Sequence, residues 1–185
     1  DEYSVENIDE KSNRSKKLYD EFGNLIEEQV YIKGLTGYKG TKAYNYDVKS
    51  RLETEKDLVN GSTTEYIYDG FDRLLSKEII DSKYDSLYKE IYTYIDADEN
   101  GEYNRVTKVI EDGVYAPSIT TNYYYDKMGK LAKQERVNLP QTYIDTFKYD
   151  YVGNKVEEKI GQSYFRYDYN IYGKVTKTYD IKNDY

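Results

Sequence analysis

Tyr19-Asp20-Glu21-Phe22-Gly23-Asn24-Leu25 decides how this 185-residue chain folds, because the chain repeats it. It returns as Tyr68-Asp69-Gly70-Phe71-Asp72-Arg73-Leu74 and as Tyr125-Asp126-Lys127-Met128-Gly129-Lys130-Leu131. Looser copies are Tyr46-Asp47-Val48-Lys49-Ser50-Arg51-Leu52, Tyr149-Asp150-Tyr151-Val152-Gly153-Asn154-Lys155 and Tyr169-Asn170-Ile171-Tyr172-Gly173-Lys174-Val175. A further copy begins at Tyr94 and reaches Arg105-Val106 after an insertion. The starts at 19, 46, 68, 94, 125, 149 and 169 are about 25 residues apart. A fixed period of that size marks an array of small structural units, none of which can bury its own apolar face alone.

The motif has a mechanical reading. Asp20 and Gly23 occupy the first and fourth positions that a type I turn prefers. The Asp carboxylate can accept backbone N–H bonds inside the turn. The Gly can take a positive φ and form the bulge through which two twisted strands pair. Ser50 and Asp72 stand where the other copies have Gly. Those two turns are expected to be more strained or of another type, Asp being the milder case. A second aromatic precedes the motif Tyr by two residues at Tyr44, Tyr66, Tyr92, Tyr123, Phe147 and Tyr167. That spacing puts both rings on one face of a strand.

Return connections are expected at Asn60-Gly61, Asp112-Gly113 and Gly161-Gln162, with longer loops at 34–40 and 138–140. Each unit is therefore a β-hairpin. A lone hairpin is marginal in water, so the units must stack side by side. The fold class is all-β: about seven antiparallel β-hairpins in one curved, Tyr-rich sheet. Residues 1–185 are one array, read as an excised part of a longer protein because the chain opens at Asp1 and stops within a hairpin at Tyr185.

Composition agrees and narrows the function. Leu, Ile, Val and Phe number only 39, but there are 26 Tyr, whose rings bury apolar area while the hydroxyl keeps a polar partner. The net charge of −8 argues against a nucleic-acid partner, which needs a basic face. The chain has no Cys and no His, which removes disulfides, thiolate or imidazole metal sites and Ser-His or Cys-His catalysis. No run of 18 apolar residues is present, so no membrane-inserting helix is expected.

The repeated Tyr-Asp-x-x-Gly-x-Leu core at Tyr19, Tyr68 and Tyr125, with variants at Tyr46, Tyr149 and Tyr169, resembles the namesake motif of the Rhs/YD-repeat family. The resemblance covers roughly residues 18–179. It implies a long spiralling sheet of hairpins that winds into a hollow shell, as in bacterial Rhs proteins, insecticidal toxin complexes and teneurins. In the bacterial cases that shell encloses a toxic C-terminal polypeptide. The resemblance therefore implies a non-catalytic wall segment of a secreted or cell-surface protein. Neighbouring repeats of the parent chain would be its partners. Uncapped ends would allow edge-to-edge self-association.

Two sharper readings remain. Exposed Tyr-x-Tyr pairs such as Tyr66 and Tyr68 could bind a glycan or a protein, although their place in every repeat favours a cross-strand ladder. Asp96, Asp98, Asn100 and Glu102 lie in a stretch that resembles the start of a calcium loop, with Gly101 at its sixth position. Its twelfth position is Thr107 rather than the bidentate Glu such a loop needs, so calcium there would be weakly held. The alternative is a solvated acidic loop at a hairpin tip.

Overall fold

The structure is a computed structural model that describes residues 2–9, 13–31, 37–83, 85–113, 116–137 and 140–181. Every regular element among the described residues is a β-strand. In chain order these are β1 (Tyr3–Ile8), β2 (Arg14–Tyr19), β3 (Leu25–Tyr31), β4 (Tyr38–Tyr46), β5 (Leu52–Asp57), β6 (Thr63–Tyr68), β7 (Leu74–Ile80) and β8 (Ser86–Ile95). They continue as β9 (Arg105–Gly113), β10 (Ala116–Tyr125), β11 (Leu131–Val137), β12 (Tyr143–Tyr149), β13 (Lys155–Ile160), β14 (Ser163–Tyr169) and β15 (Val175–Asp180). Hydrogen-bonded neighbours in the sheet follow chain order from β1 to β15. Seven of the connections are the Tyr-Asp turns read from the sequence.

The chain forms two compact units, residues 1–90 with 113–115 and residues 91–112 with 116–185. In the first, β1 pairs antiparallel with β2 in the register Tyr3↔Tyr19, and those two rings stack with centroids 5.0 Å apart. β2 to β7 follow as an antiparallel meander. In the second, β10 to β15 do the same.

The turn residue in the Gly position has φ of 86° at Gly23, 75° at Gly129, 96° at Gly153 and 72° at Gly173. Ser50 and Asp72 adopt the same left-handed conformation, at 59° and 64°. They keep the same turn bond, from Ser50 N–H to Asp47 C=O and from Asp72 N–H to Asp69 C=O. Of the two expected outcomes, strain or another turn type, the structure shows the first: the turn is kept at a left-handed φ, the fourfold clamping described below outweighing the local αL cost of about 1–2 kcal/mol.

The expected bulge at the turn Gly is accompanied by a second one. Each hairpin shifts register between the motif Tyr and the residue before it: at Leu18/Tyr19, Asn45/Tyr46 and Ile67/Tyr68 in the first unit, and at Tyr124/Tyr125, Lys148/Tyr149 and Asp168/Tyr169 in the second. Tyr19 faces Leu25 while Leu18 faces Glu27, so Ile26 is the extra residue. A bulge at the same place in these six copies bends the outgoing strand and increases its twist at that end.

At the opposite ends, Gly161-Gln162 is the expected two-residue turn between Ile160 and Ser163. Asn60-Gly61 is not. There the loop spans 58–61, because Asp57 C=O accepts from Gly61 N–H and Asp57 Oδ1 accepts from Val59 and Asn60 N–H. The tip after Asp112-Gly113, residues 34–36 of the 34–40 loop and residues 138–139 lie outside the described residues, while residues 38–40 already belong to β4.

Little is fully buried. Val106 and Val109 are the buried apolar side chains among the described residues, with Thr107, Thr120, Thr121 and Asp145 the buried polar ones. Stability must therefore come from cross-strand pairs and half-buried rings along the sheet.

The turn geometry makes a two-sided prediction. Gly129→Val should cost about 1–3 kcal/mol although nothing lies within 4 Å of its Cβ position, because the cost is backbone strain alone. Gly70→Val, equally open and without a positive φ, should cost less than half of that. Ser50→Gly should stabilise by about 1 kcal/mol, a rise of roughly 2–4 °C in Tm for a chain of this size. Thermal melts of the three variants check all three signs.

Candidate functional site

The surface with the most repeated chemistry is the end of the sheet that carries the Tyr-Asp turns. Each turn is clamped by its Asp. Asp20 N–H donates to Asn24 C=O (2.9 Å) and Asp20 C=O accepts from Gly23 N–H (3.1 Å). Its Oδ1 accepts from Phe22 N–H (2.9 Å) and Asn24 N–H (2.8 Å), and its Oδ2 from Asn24 Nδ2 (2.8 Å). The same Oδ1 bonds recur at Asp47, Asp69, Asp126 and Asp150, and at Asn170 through its amide oxygen. Hydrogen bonds to the ionised form lower a carboxyl pKa. The Asn24 side chain is the main cause at Asp20, and the Arg51 N–H at Asp47.

Sequence reading missed two further turns of this design at the other end of the sheet. Asp9 clamps Asn13, and Asp81 clamps Lys83 and Asp85. Both follow Ile rather than Tyr. The Asp with a partner four residues on was the available signal.

Between hairpins the motif Tyr does the joining. β3 and β4 pair by backbone as far as Glu27↔Ala43; three residues on, the Tyr46 hydroxyl donates to Leu25 C=O (2.9 Å). β5 and β6 pair as far as Thr54↔Glu65, and the Tyr68 hydroxyl donates to Leu52 C=O (2.9 Å). In the second unit Tyr149 reaches Leu131 C=O beyond Lys133↔Thr146, and Tyr169 reaches Lys155 C=O beyond Glu157↔Arg166. The offset is identical in all four. A side chain closes the seam where the backbone ladder has run out.

A cation from one turn covers the next motif ring. Arg51 stands over Tyr68 (4.7 Å), Arg105 over Tyr125 (4.2 Å) and Lys130 over Tyr149 (5.1 Å). Arg51 also holds its own Asp47 through Nε (2.7 Å), and its Nη1 donates to Asp69 C=O (3.0 Å) and Asp72 Oδ1 (2.7 Å). Lys130 Nζ donates to Gly153 C=O (2.9 Å) and occupies the space a Cβ on residue 153 would need, 2.5 Å away.

On the Tyr-bearing strands, Tyr124 donates to Glu135 (2.5 Å) and Tyr167 to Glu158. Burial, then the Glu135 bond, pushes the Tyr124 phenol up to about 12; at Tyr167 the Glu158 bond leads and the value is again about 12. Glu158 is itself paired with Lys155.

The acidic insertion proves to be a lengthened Tyr-Asp turn. Asp98 C=O accepts from Gly101 N–H (3.0 Å), with Gly101 at φ 65°, the relation of Asp20 to Gly23. Asp98 N–H donates to Tyr103 C=O, and Asp98 Oδ1 accepts from Tyr103 N–H (2.9 Å). Among the described residues no group of three or more Asp or Glu is arranged to hold a metal ion. Asp-x-x-Gly serves both turn and calcium loop, which is why the stretch resembled the latter.

These groups hold turns and seams together. No family model and no curated protein sequence matches the chain. Solved structures do. A chain of the Photorhabdus luminescens Tc holotoxin pore matches over 97% of this chain at 17% identity, TM-score 0.61. The TcdB2-TccC3-Cdc42 structure matches over 97% at 17% identity, TM-score 0.62. The TcdB2-TccC3-TEV structure matches over 95% at 18% identity, TM-score 0.65. The likeness shows a shared fold. This chain spans 10–12% of the length of those chains.

Tyr149→Phe should destabilise by about 1–2 kcal/mol, since it orphans a half-buried carbonyl, while Tyr172→Phe on an exposed tip should be neutral. The raised phenols stabilise the fold below pH 10, and that contribution is lost as pH rises from 10 through about 12. Denaturation midpoints should therefore fall across that window, and Tyr167→Phe should flatten the fall.

Proposed function

We propose that the chain is a non-catalytic wall segment of an Rhs/YD-repeat shell, whose parent protein encloses or presents a C-terminal toxin or effector and acts outside the bacterial cell or on its surface. The whole of residues 1–185 serves as one repeat array in this reading. The observation that carries it is the repeated seam: at Tyr46, Tyr68, Tyr149 and Tyr169 one hairpin joins the preceding one through the same Tyr hydroxyl and carbonyl. The fold shared with segments of Tc toxin chains supports it. So does the scarcity of buried side chains, which suits a wall that gains strength from length rather than from a core.

The competing glycan-binding reading loses ground at the ring it most needed, because the Tyr68 hydroxyl is committed to Leu52 C=O. The test is electron microscopy and limited proteolysis of the parent polypeptide. The expected result is a hollow particle whose C-terminal segment resists protease until the wall is cut. An open ribbon with a freely digested C-terminal segment would overturn the reading. So would saturable glycan binding abolished by Tyr66→Ala with folding intact.

A further inference from the structure

The cation that caps the next motif ring is absent from two repeats. Residues 51, 105 and 130, just before the motif Leu or Val, are Arg, Arg and Lys; the same position is Asn24 in the first copy and Asn154 in the sixth. Asn24 and Asn154 keep the inner half of the job, donating through Nδ2 to Asp20 and Asp150. Neither brings a cation to the next motif ring, although the Asn154 amide oxygen lies 3.6 Å from where a Cβ on residue 173 would stand. At those two places the structure has open notches, of about 320 Å³ beside Asn24, Tyr46, Asp47 and Ser50, and about 550 Å³ beside Asn154, Tyr169, Asn170 and Gly173.

We infer that these two notches bind basic side chains, Arg or Lys, of a partner polypeptide. The chain's own filled notches supply the template. Arg51 shows what a guanidinium meets: a ring face, a turn carbonyl at Asp69 and a side-chain oxygen at Asp72. The counterparts beside Asn24 are the Tyr46 ring, Asp47 C=O and Ser50 Oγ. Lys130 shows what an ammonium meets: the Tyr149 ring and Gly153 C=O. The counterparts beside Asn154 are the Tyr169 ring and Gly173 C=O. A ring face joined to oxygen acceptors attracts cations, and the net charge of −8 raises their local concentration. The site is independent of the shell reading, which stands or falls on the parent particle.

The experiment is an NMR titration of the 185-residue chain, Tyr rings labelled, with N-acetyl-arginine amide and its neutral citrulline counterpart. The Tyr46 and Tyr169 rings should shift saturably with the arginine probe. Tyr68 and Tyr149, already capped, should stay still, and citrulline should move none of the four. Asn24→Arg should abolish the Tyr46 response while keeping the fold, since Arg51 and Arg73 already make the same Nε bond to their turn Asp. Arg51→Asn should make Tyr68 responsive. Equal shifts at all four rings, no saturable shift at Tyr46 or Tyr169, or a silent Tyr68 in Arg51→Asn would each overturn the proposal.

Discussion

A tyrosine hydroxyl bonded to a carbonyl of the preceding hairpin is the contact on which the rest of this protein depends. Within a hairpin the two strands share a turn and a backbone ladder. Between hairpins the ladder stops short of the turn, because the bulged outgoing strand bends away there. Tyr46, Tyr68, Tyr149 and Tyr169 close that gap with a rigid six-membered arm and one bond. Phe could fill the space but would leave the carbonyl bare, so the hydroxyl explains a composition in which Tyr outnumbers Phe by 26 to 4. Each bond contributes only about 1 kcal/mol. Because the same bond recurs at four seams, the contributions accumulate along the chain as in other repeat proteins.

What could be read beforehand was what is local. An Asp bonding N–H groups two and four residues on, and a left-handed residue at the fourth place, are properties of seven consecutive residues, and the turns at Tyr19, Tyr68 and Tyr125 follow from them. The seams were not legible in the same way. Their partners lie 14 to 21 residues apart, and nothing in Leu25 or Lys155 announces that its carbonyl will be taken by a phenol. Nor does any one residue type mark the second bulge: its extra residue is aliphatic at Ile26, Leu75, Ala132 and Val156 but Glu53 and Thr176 elsewhere. At Ser50 and Asp72 the sequence left strain and another turn type open, because a local preference does not weigh the carboxylate clamp or the Lys49 and Arg51 bonds that hold Asp72 in place. In the acidic insertion the Asp98 carboxylate accepts a backbone N–H as the other turn Asp residues do, a partner that the Asp-x-x-Gly pattern alone does not name.

The large apolar side chains at the turn tips follow from the same economy. Phe22, Val48, Phe71, Met128 and Tyr172 stand mostly in solvent because the clamp below them is made by backbone groups and the side chain of the turn Asp or Asn. Their side chains are not what closes the turn. One or two exposed apolar side chains at a tip, with strands of polar turn residues between them, stay below the size of a continuous greasy patch.

The constant seam offset has a consequence for how such a protein changes over generations. Since one hairpin grips its neighbour through the same two positions each time, the excision or duplication of a whole repeat rejoins compatible surfaces on either side. Removing one strand would instead reverse the direction of everything downstream and set turn against tip. The genetic unit of length change is accordingly the strand pair of about 25 residues, and the array can grow or shrink by recombination between its own copies without a new interface having to be invented.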